Sequence, residues 1–413
     1  MIKNLNNKIF LSFSIITVIN YIFFTQRIIL RNNPYITADW LINYQGGFVR
    51  RGFFGEIIYQ INFFTKIDIL HLVIFFNIIV IILFFYLLYN IIKKSLFNNL
   101  FLIYCLIPST ILFTFFDPLA VGRKDYLSIL PYLFYGYFIN KLTINIKVSL
   151  ILALIILTLT HELTFFFVPF LFLFKSANFL NLSLNYQNYK FEIICSIATF
   201  LTLLSTMIFK VPFNNEICQS LVDLNLNKEI CNGVIRDFSN PSTFPLDLIY
   251  NNLRYLNNFN YYSQYSIYLI LSYLPICILF YKPIINSNLS YQYIIFFIIS
   301  FLFLTPLILL TNDWGRYLNM LFILHIIYFH FLIKNLSIGN IDLSLFKKVL
   351  IVPIIFVYLT NWHMPHCCQK TIGSGYIYII ERIIFRINDE TNETHKYGKD
   401  KPREILKKII NFF

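Results

Sequence analysis

Long apolar runs, cut by short polar clusters, organise this chain from end to end. A helix needs about 20 apolar residues to cross the hydrocarbon of a bilayer. By that measure residues 9–29, 69–92, 98–116, 126–141, 191–209, 265–281, 291–311, 317–334 and 348–361 are expected to be membrane-spanning helices. The stretch 147–174 is too long for one ordinary span and carries His161-Glu162 in its middle. Two short spans with the His-Glu pair at the turn between them are expected there. The pattern predicts an all-α polytopic fold of about eleven transmembrane helices, roughly 9–12.

Residues 1–361 make up the transmembrane domain, including a long polar loop over 210–262, and 362–413 form an interfacial segment and basic tail. The tail ends in Ile405-Leu406-Lys407-Lys408-Ile409-Ile410, which predicts a short amphipathic helix on a membrane surface. Residues 375–387, with Glu381, Arg382 and Arg386, fit the same description. The run after Lys8 lacks a small-residue cleavage site and is followed by Gln26-Arg27, so it is read as an uncleaved first span.

Composition supports the membrane reading and adds a charge asymmetry. The chain of 413 residues is 58% hydrophobic and 13% charged, where soluble domains carry about 25% charged residues. Its net charge is +13, yet no soluble stretch of domain size carries a basic stripe with interleaved aromatics. The expected partners are therefore membrane lipid headgroups and lipid-linked phosphates, with no nucleic acid.

Helix parity divides the basic residues by type. With Lys3 and Lys8 on the cytoplasmic side, the connections on that side carry Lys93, Lys94, Lys141, Lys147, Lys175, Lys190, Lys282, Lys334, Lys347 and Lys348, and no Arg. Every Arg falls on the other side, together with all the polar clusters. Lysines in short loops meet the needs of topology, whereas Arg beside Asp, Gly and Trp suits recognition of phosphate or carboxylate by a planar fork. A single span over 147–174 would send Asp313 and Arg316 to the opposite side.

The first cluster runs from Asp39-Trp40 to Gly46-Gly47-Phe48-Val49-Arg50-Arg51-Gly52 and Gly55. Four of the twelve glycines fall here. Glycine lets a ligand approach the backbone, and Arg50 and Arg51 beside Gly47 and Gly52 suit an anion cradle. Asp39 is placed to take a proton from a hydroxyl or to orient it. A plain interfacial helix with arginines at headgroup level is the alternative.

In the second cluster Asp117-Pro118 opens a turn, and Gly122-Arg123-Lys124-Asp125 offers Arg123 and Lys124 either to headgroups or to a ligand phosphate. His161-Glu162 can serve as general acid and base, or pair with Arg123 or Arg316 to hold helices together; it lacks the second His of a zinc-binding helix. In Asp313-Trp314-Gly315-Arg316, Asp313 is placed to cap a helix whose first turn holds Arg316. A cation there opposes the helix dipole and calls for an anionic partner, either Glu162, Asp39 or ligand. His325 and His330 lie deeper and are expected to pack.

Of seven cysteines, Cys105, Cys195 and Cys277 sit in apolar runs, while Cys218 and Cys231 share the polar loop and can pair if it faces an oxidising space. Cys367-Cys368 beside His363 and His366 lacks a second ligand cluster, so no metal and no cofactor is expected.

Carboxylates, an imidazole and a ring of arginines on one side suit a phosphorylated lipid whose glycan is passed to a nearby hydroxyl. Asp39-Trp40, Gly47-Phe48-Val49-Arg50-Arg51-Gly52, Gly122-Arg123-Lys124-Asp125, His161-Glu162 and Asp313-Trp314-Gly315-Arg316 resemble motifs of polytopic proteins from bacterial capsule and O-antigen gene clusters. These are the O-antigen polymerases and the GT-C-type membrane glycosyltransferases. The resemblance implies sugar transfer from a polyprenyl-phosphate- or diphosphate-linked donor at the outer face of the inner membrane, by a polymerase or a single-sugar transferase, alongside other polysaccharide-assembly proteins. It implies Asp39 as a catalytic group and Arg50, Arg51, Arg123 and Arg316 as phosphate ligands; the residues' own chemistry adds His161 and Glu162 as catalytic groups and Lys124 as a phosphate ligand, supported by Trp40, Gly47, Gly52, Asp313 and Trp314. A flippase for lipid-linked oligosaccharide is the rival from another class, but it would spread polar residues along a path through the bilayer. A non-catalytic membrane subunit is the remaining alternative.

Overall fold

A computed structural model describes residues 2–117, 120, 122–179, 185–209, 215–239, 261–286, 292–311, 313–339, 345–361 and 364. Those residues are all-helical, with no strand among them. The expected metal-free Cys367-Cys368 segment, the surface helices over 375–387 and 405–410, and all of 240–260 lie outside them.

The chain opens with α1 (Ile2–Leu30), then α2 (Thr37–Leu41), α3 (Gly52–Thr65) and α4 (Ile69–Ile92). Next come α5 (Asn99–Leu106), α6 (Phe113–Phe116), α7 (Asp125–Phe138), α8 (Ile144–Thr160), α9 (Leu163–Phe166), α10 (Pro169–Asn178) and α11 (Tyr186–Ile208). The polar loop holds α12 (Glu216–Val222), a 3-10 turn (Lys228–Asn232) and α13 (Val234–Ser239). Last are α14 (Tyr261–Asn286), α15 (Gln292–Leu310), α16 (Trp314–Asn335) and α17 (Leu345–Asn361).

Four helical stretches among the described residues are long and apolar enough to cross a membrane: Asn4–Leu30, Ile69–Ile92, Tyr186–Ile208 and Trp314–Asn335. Shorter apolar helices include Ile144–Thr160, Leu163–Asn178, Gln264–Phe280 and Phe297–Leu310. Large apolar side chains stand exposed along α1 (Leu11, Ile15, Ile19, Phe23) and α11 (Ile197, Phe200, Leu201). Faces of that kind suit lipid rather than water.

α16 is the central post, buried from Gly315 to Ile333. Its two histidines pack, as expected. His325 Nδ1 meets the Tyr273 hydroxyl at 2.7 Å and its Nε2 meets Ser300 Oγ at 3.2 Å, while His330 Nδ1 meets Ser95 Oγ at 2.8 Å.

Hydrogen bonds between helix ends fix the direction of each pass. Asn6 of α1 donates to Leu96 O beyond the end of α4, and Asn335 at the end of α16 donates to Ala177 O and Asn178 O at the end of α10. Asn178 in turn donates to Asn140, just past α7. These termini form one end of the bundle. The starts of α7 and α16 and the end of α8 meet at the other, joined through Asp125, Arg316 and His161. α8 therefore runs toward this polar end and α10 runs away from it.

The reversal falls at His161-Glu162, where the sequence places it. His161 is extended, its N–H closes α8 on Leu157 O, and Pro169 opens α10 with the fixed φ that suits a first helical position.

The expected single helix over 98–116 is broken. α5 stops at Leu106, because Pro108 disfavours the helical conformation at Ile107. The Thr110 hydroxyl then donates to the released carbonyls of Cys105 (2.7 Å) and Ile107 (2.9 Å), and Asn319 of α16 donates to Ser109 O and Thr110 O.

In the polar loop, the described part forms the expected short helices. Cys218 and Cys231 are disulfide-bonded, with Cα atoms 5.8 Å apart.

Candidate functional site

The path to Asp39 starts at the end of α1. Asn32 adopts a left-handed φ of 54°, and the Asn33 side chain accepts from the N–H groups of Tyr35 and Ile36, each at 2.9 Å. This turn swings α2 inward, so that Thr37 through Leu41 are all buried. Trp40 fills the interior and donates its indole N–H to Gly122 O, which also accepts from Asn77 at 2.8 Å. Gly122 needs its φ of 86° to turn that carbonyl inward, and a Cβ there would lie 3.0 Å from Ile36. The indole bond thus ties the first cluster to the second.

After α2 the chain passes Gly46-Gly47 and re-enters helix at Gly52. Glu56 of α3 holds this loop through Tyr44 N (2.9 Å) and the Gln45 amide (3.0 Å). α3 crosses so close to α2 that a Cβ on Gly55 would lie 1.9 Å from Ile42 O. At the helix start Arg51 has a φ of 66°, a left-handed conformation that costs a non-glycine residue about 1–3 kcal/mol. Two contacts hold it there. The guanidinium forks onto Glu162, with Nε 2.8 Å from Oε2 and a second bond of 2.5 Å to Oε1, and Lys124 Nζ donates to Arg51 O at 3.1 Å.

The remaining groups close round this pair. Arg51 also lies 3.4 Å from Asp39 Oδ1. Arg316 forks onto Asp125 at 2.8 and 2.6 Å and bonds Asp313 Oδ2, which Arg123 reaches at 3.2 Å. His161 lies between the two forks, with Nε2 3.9 Å from Asp125 and Nδ1 3.9 Å from Glu162. Its Nδ1 accepts the Leu163 N–H at 3.1 Å, so the neutral ring carries its proton on Nε2.

All five sequence clusters therefore contribute to the polar end, the polar loop through its described residues 215–239, which cover α2 from outside. Asp39, Arg50, Arg51, Arg123, Lys124, His161, Glu162, Asp313 and Arg316 fall into one connected network. Trp40 and Trp314 are structural: Trp314 donates to Ile308 O at 2.7 Å and packs on Tyr262 and Tyr265. Asp313 does not cap α16, because its carboxylate turns to the two arginines instead. Arg316 has its anionic partner, but that partner is Asp125, to which the sequence pattern assigns no role. Asp117 accepts the Ala120 N–H at 3.3 Å, the turn expected of it.

Among the described residues, five cations (Arg50, Arg51, Arg123, Lys124, Arg316) face four carboxylates (Asp39, Asp125, Glu162, Asp313), an excess of one positive charge with a neutral His161. Burial alone would raise the pKa of Asp39, but the charges of Lys124 and Arg51 outweigh it and bring the pKa to about 2. Burial and the nearby Arg51 lower His161 to about 4. Burial also lowers Lys124 to about 8, against the pull of Asp39.

Three buried polar atoms in the network have no hydrogen-bond partner among the described residues: Asp39 Oδ2, Arg123 Nε and His161 Nε2. Arg50 is the exposed member, with half its side chain in the open and a nitrogen 3.9 Å from Glu162. Beside the network, from Phe165 (whose N–H bonds Glu162 O) across to Phe172, Ser196, Ile299 and Phe303, runs an apolar groove of about 200 Å³.

Comparison with protein-family models, curated proteins and solved structures finds no match to this chain.

Proposed function

We propose that this chain transfers a sugar from a polyprenyl-phosphate- or diphosphate-linked donor to a hydroxyl of an acceptor glycan during surface polysaccharide assembly. In this reading it is a multi-pass protein of a bacterial cytoplasmic membrane, with eleven passes and the polar end facing outward. The observation that carries the reading is the buried Asp39 carboxylate, with one oxygen unpartnered among the described residues, set among cations beside half-exposed Arg50. A buried polar atom without a partner is costly, and a substrate hydroxyl would satisfy it.

The donor phosphate sits against Arg50, with Arg51 and Lys124 behind it, and its chain follows the adjoining apolar groove. The acceptor hydroxyl donates to Asp39 Oδ2. As the acceptor oxygen bonds the anomeric carbon, the bond from that carbon to the phosphate oxygen breaks and the proton passes to Asp39. The guanidinium and ammonium groups stabilise the leaving phosphate. A carboxylate with a pKa near 2 is a poor base, but an anion bound to the same cations weakens their hold on Asp39 and raises its pKa. Proton acceptance is thus coupled to donor binding. The two forks, Arg51–Glu162 and Arg316–Asp125, keep the site rigid. The disulfide of the covering loop favours an oxidising compartment on this side.

The test is deletion of the gene in the native host, with complementation by the wild type, Asp39→Asn or Arg50→Ala at matched membrane levels, read on gels of surface polysaccharide. Loss of chain length with single repeat units left identifies a polymerase; an incomplete repeat unit identifies a single-sugar transferase. Asp39→Asn is expected to reproduce the deletion, and Arg50→Ala to slow transfer by about tenfold, a lost charge-assisted contact. Wild-type polysaccharide from Asp39→Asn overturns the reading.

A further inference from the structure

The one covalent cross-link in the described residues lies over the Asp39 segment, and its two halves attach at opposite sides of α2. On the Cys218 side, Ser220 Oγ accepts from the Asn43 amide at 3.1 Å, and Ile217 packs against Gly46, where a Cβ would come within 3.3 Å. On the Cys231 side, the Val234 N–H donates to Pro34 O at 3.0 Å, and Gly233 approaches so closely that a Cβ would lie 2.1 Å from that oxygen. Pro34 precedes α2, and Asn43 follows it. Ile217, Ser220, Ile230 and Val234 are buried, so the loop is docked rather than draped.

We propose that the Cys218–Cys231 disulfide is a positioning clamp for Asp39: by joining the two contact points it fixes the distance between Pro34 and Asn43 and so holds α2 against the arginines. The clamp acts on α2 whichever reaction Asp39 serves. α2 has only five residues, too few to be stable alone, and its N-terminal residue gains no side-chain cap. Its stability therefore comes from what encloses it. On the inner side that is Trp40 bonded to Gly122 and Gly55 pressed on Ile42; on the outer side it is the disulfide-bonded loop. A cross-link restricts the conformations open to the segment it closes, here 13 residues in separation, and passes that restriction to whatever the segment grips.

Opening the clamp is a balanced exchange. A dithiol reductant gives two electrons and two protons to the disulfide, leaving thiols at Cys218 and Cys231 and itself becoming a disulfide.

The experiment uses the full chain in detergent micelles, oxidised or treated with dithiothreitol and alkylated, with alkylation of both cysteines verified by mass. Amide hydrogen exchange is followed over 34–46, 215–239 and 314–335. The expected result is exchange at least about tenfold faster over 34–46 after reduction, with 314–335 unchanged. The double variant Cys218→Ser, Cys231→Ser should show the same without reductant. A disulfide that only staples its own loop would speed 215–239 and leave 34–46 alone, and that result overturns the proposal. Equal acceleration in all three segments, the mark of general unfolding, overturns it as well.

Discussion

The bundle buries ion pairs at both ends, and the two ends are built differently. At the end away from the site, Glu192 of α11 is fully buried and both of its oxygens are used: Oε1 accepts from the Tyr135 hydroxyl at 2.6 Å and Oε2 from Lys175 Nζ at 2.9 Å. Three helices, α7, α10 and α11, meet there, and nothing is left over on the carboxylate. At the polar end five cations and four carboxylates interlock, yet Asp39 Oδ2 and His161 Nε2 have no bond among the described residues. A buried charge needs a partner wherever it lies. A closed set of partners is enough for holding helices together; an open one has capacity for something that arrives.

Within the polar end the same distinction separates the forks from Asp39. Arg316 is the strongest case of a holding residue, since its side chain is 4% exposed and bonded to two carboxylates. Arg316→Ala should strip Asp125 of its only forked partner and cost about 3–5 kcal/mol of folding stability. The measurement is the midpoint of thermal unfolding of the purified protein in detergent, together with its yield in membranes. A variant that keeps the wild-type midpoint while losing activity would move Arg316 from the holding class to the substrate-binding class.

Acid should act on the polar end through His161. His161 has a pKa near 4 in the fold, against 6.5 for the ordinary side chain, so between those values the unfolded chain binds more protons than the folded one. Stability then falls as pH drops from 6.5 to 4, by up to about 3 kcal/mol. Asp39 adds a second loss below that, from 3.8 down to about 2, because its folded pKa is also depressed. Melting curves from pH 7 to 4 should show the first decline, and His161→Gln should make it shallower. An unchanged slope in that variant would assign the acid sensitivity to another group.

Much of this arrangement was readable in the sequence, and for one reason. The break at His161-Glu162 sets the parity of every later helix, and parity brings Asp313 and Arg316 to the same end as Asp39 and Arg51. The clusters could be assigned to an end because charges beside apolar runs collect at helix ends. Their pairing could not, because the sequence fixes which end a residue occupies but not its rotation about the helix axis or the depth of its helix. So the sequence expects phosphate at Arg51 without showing that Glu162 takes its fork, and it assigns no role to Asp125, which neutralises Arg316. Lys175 was counted as a topology lysine, with no sign that Glu192, on the next helix, was its partner. The break after Leu106 was legible locally in Pro108, but the apolar run around it concealed the signal.

The sharpest use of the comparison is to damage the closed end and watch the open one. In Glu192→Gln the Tyr135 hydroxyl keeps an acceptor, but Lys175 loses its counter-charge and faces an amide. Lys175 is 20% exposed and lies 5.6 Å from the Tyr189 ring centroid, so part of the loss is recovered from water and from the ring face. The expected cost is about 1–3 kcal/mol, less than for Arg316→Ala, where Asp125, 4% exposed, loses its forked partner. The sugar transfer proposed above should be unchanged per folded molecule, because the pair lies at the end of the bundle away from the site. Measuring unfolding midpoint and polysaccharide synthesis on the same preparations separates the two quantities. If Glu192→Gln abolishes synthesis while the midpoint stays where it was, then a fully bonded carboxylate is also working chemically, and bond closure no longer distinguishes a brace from a site.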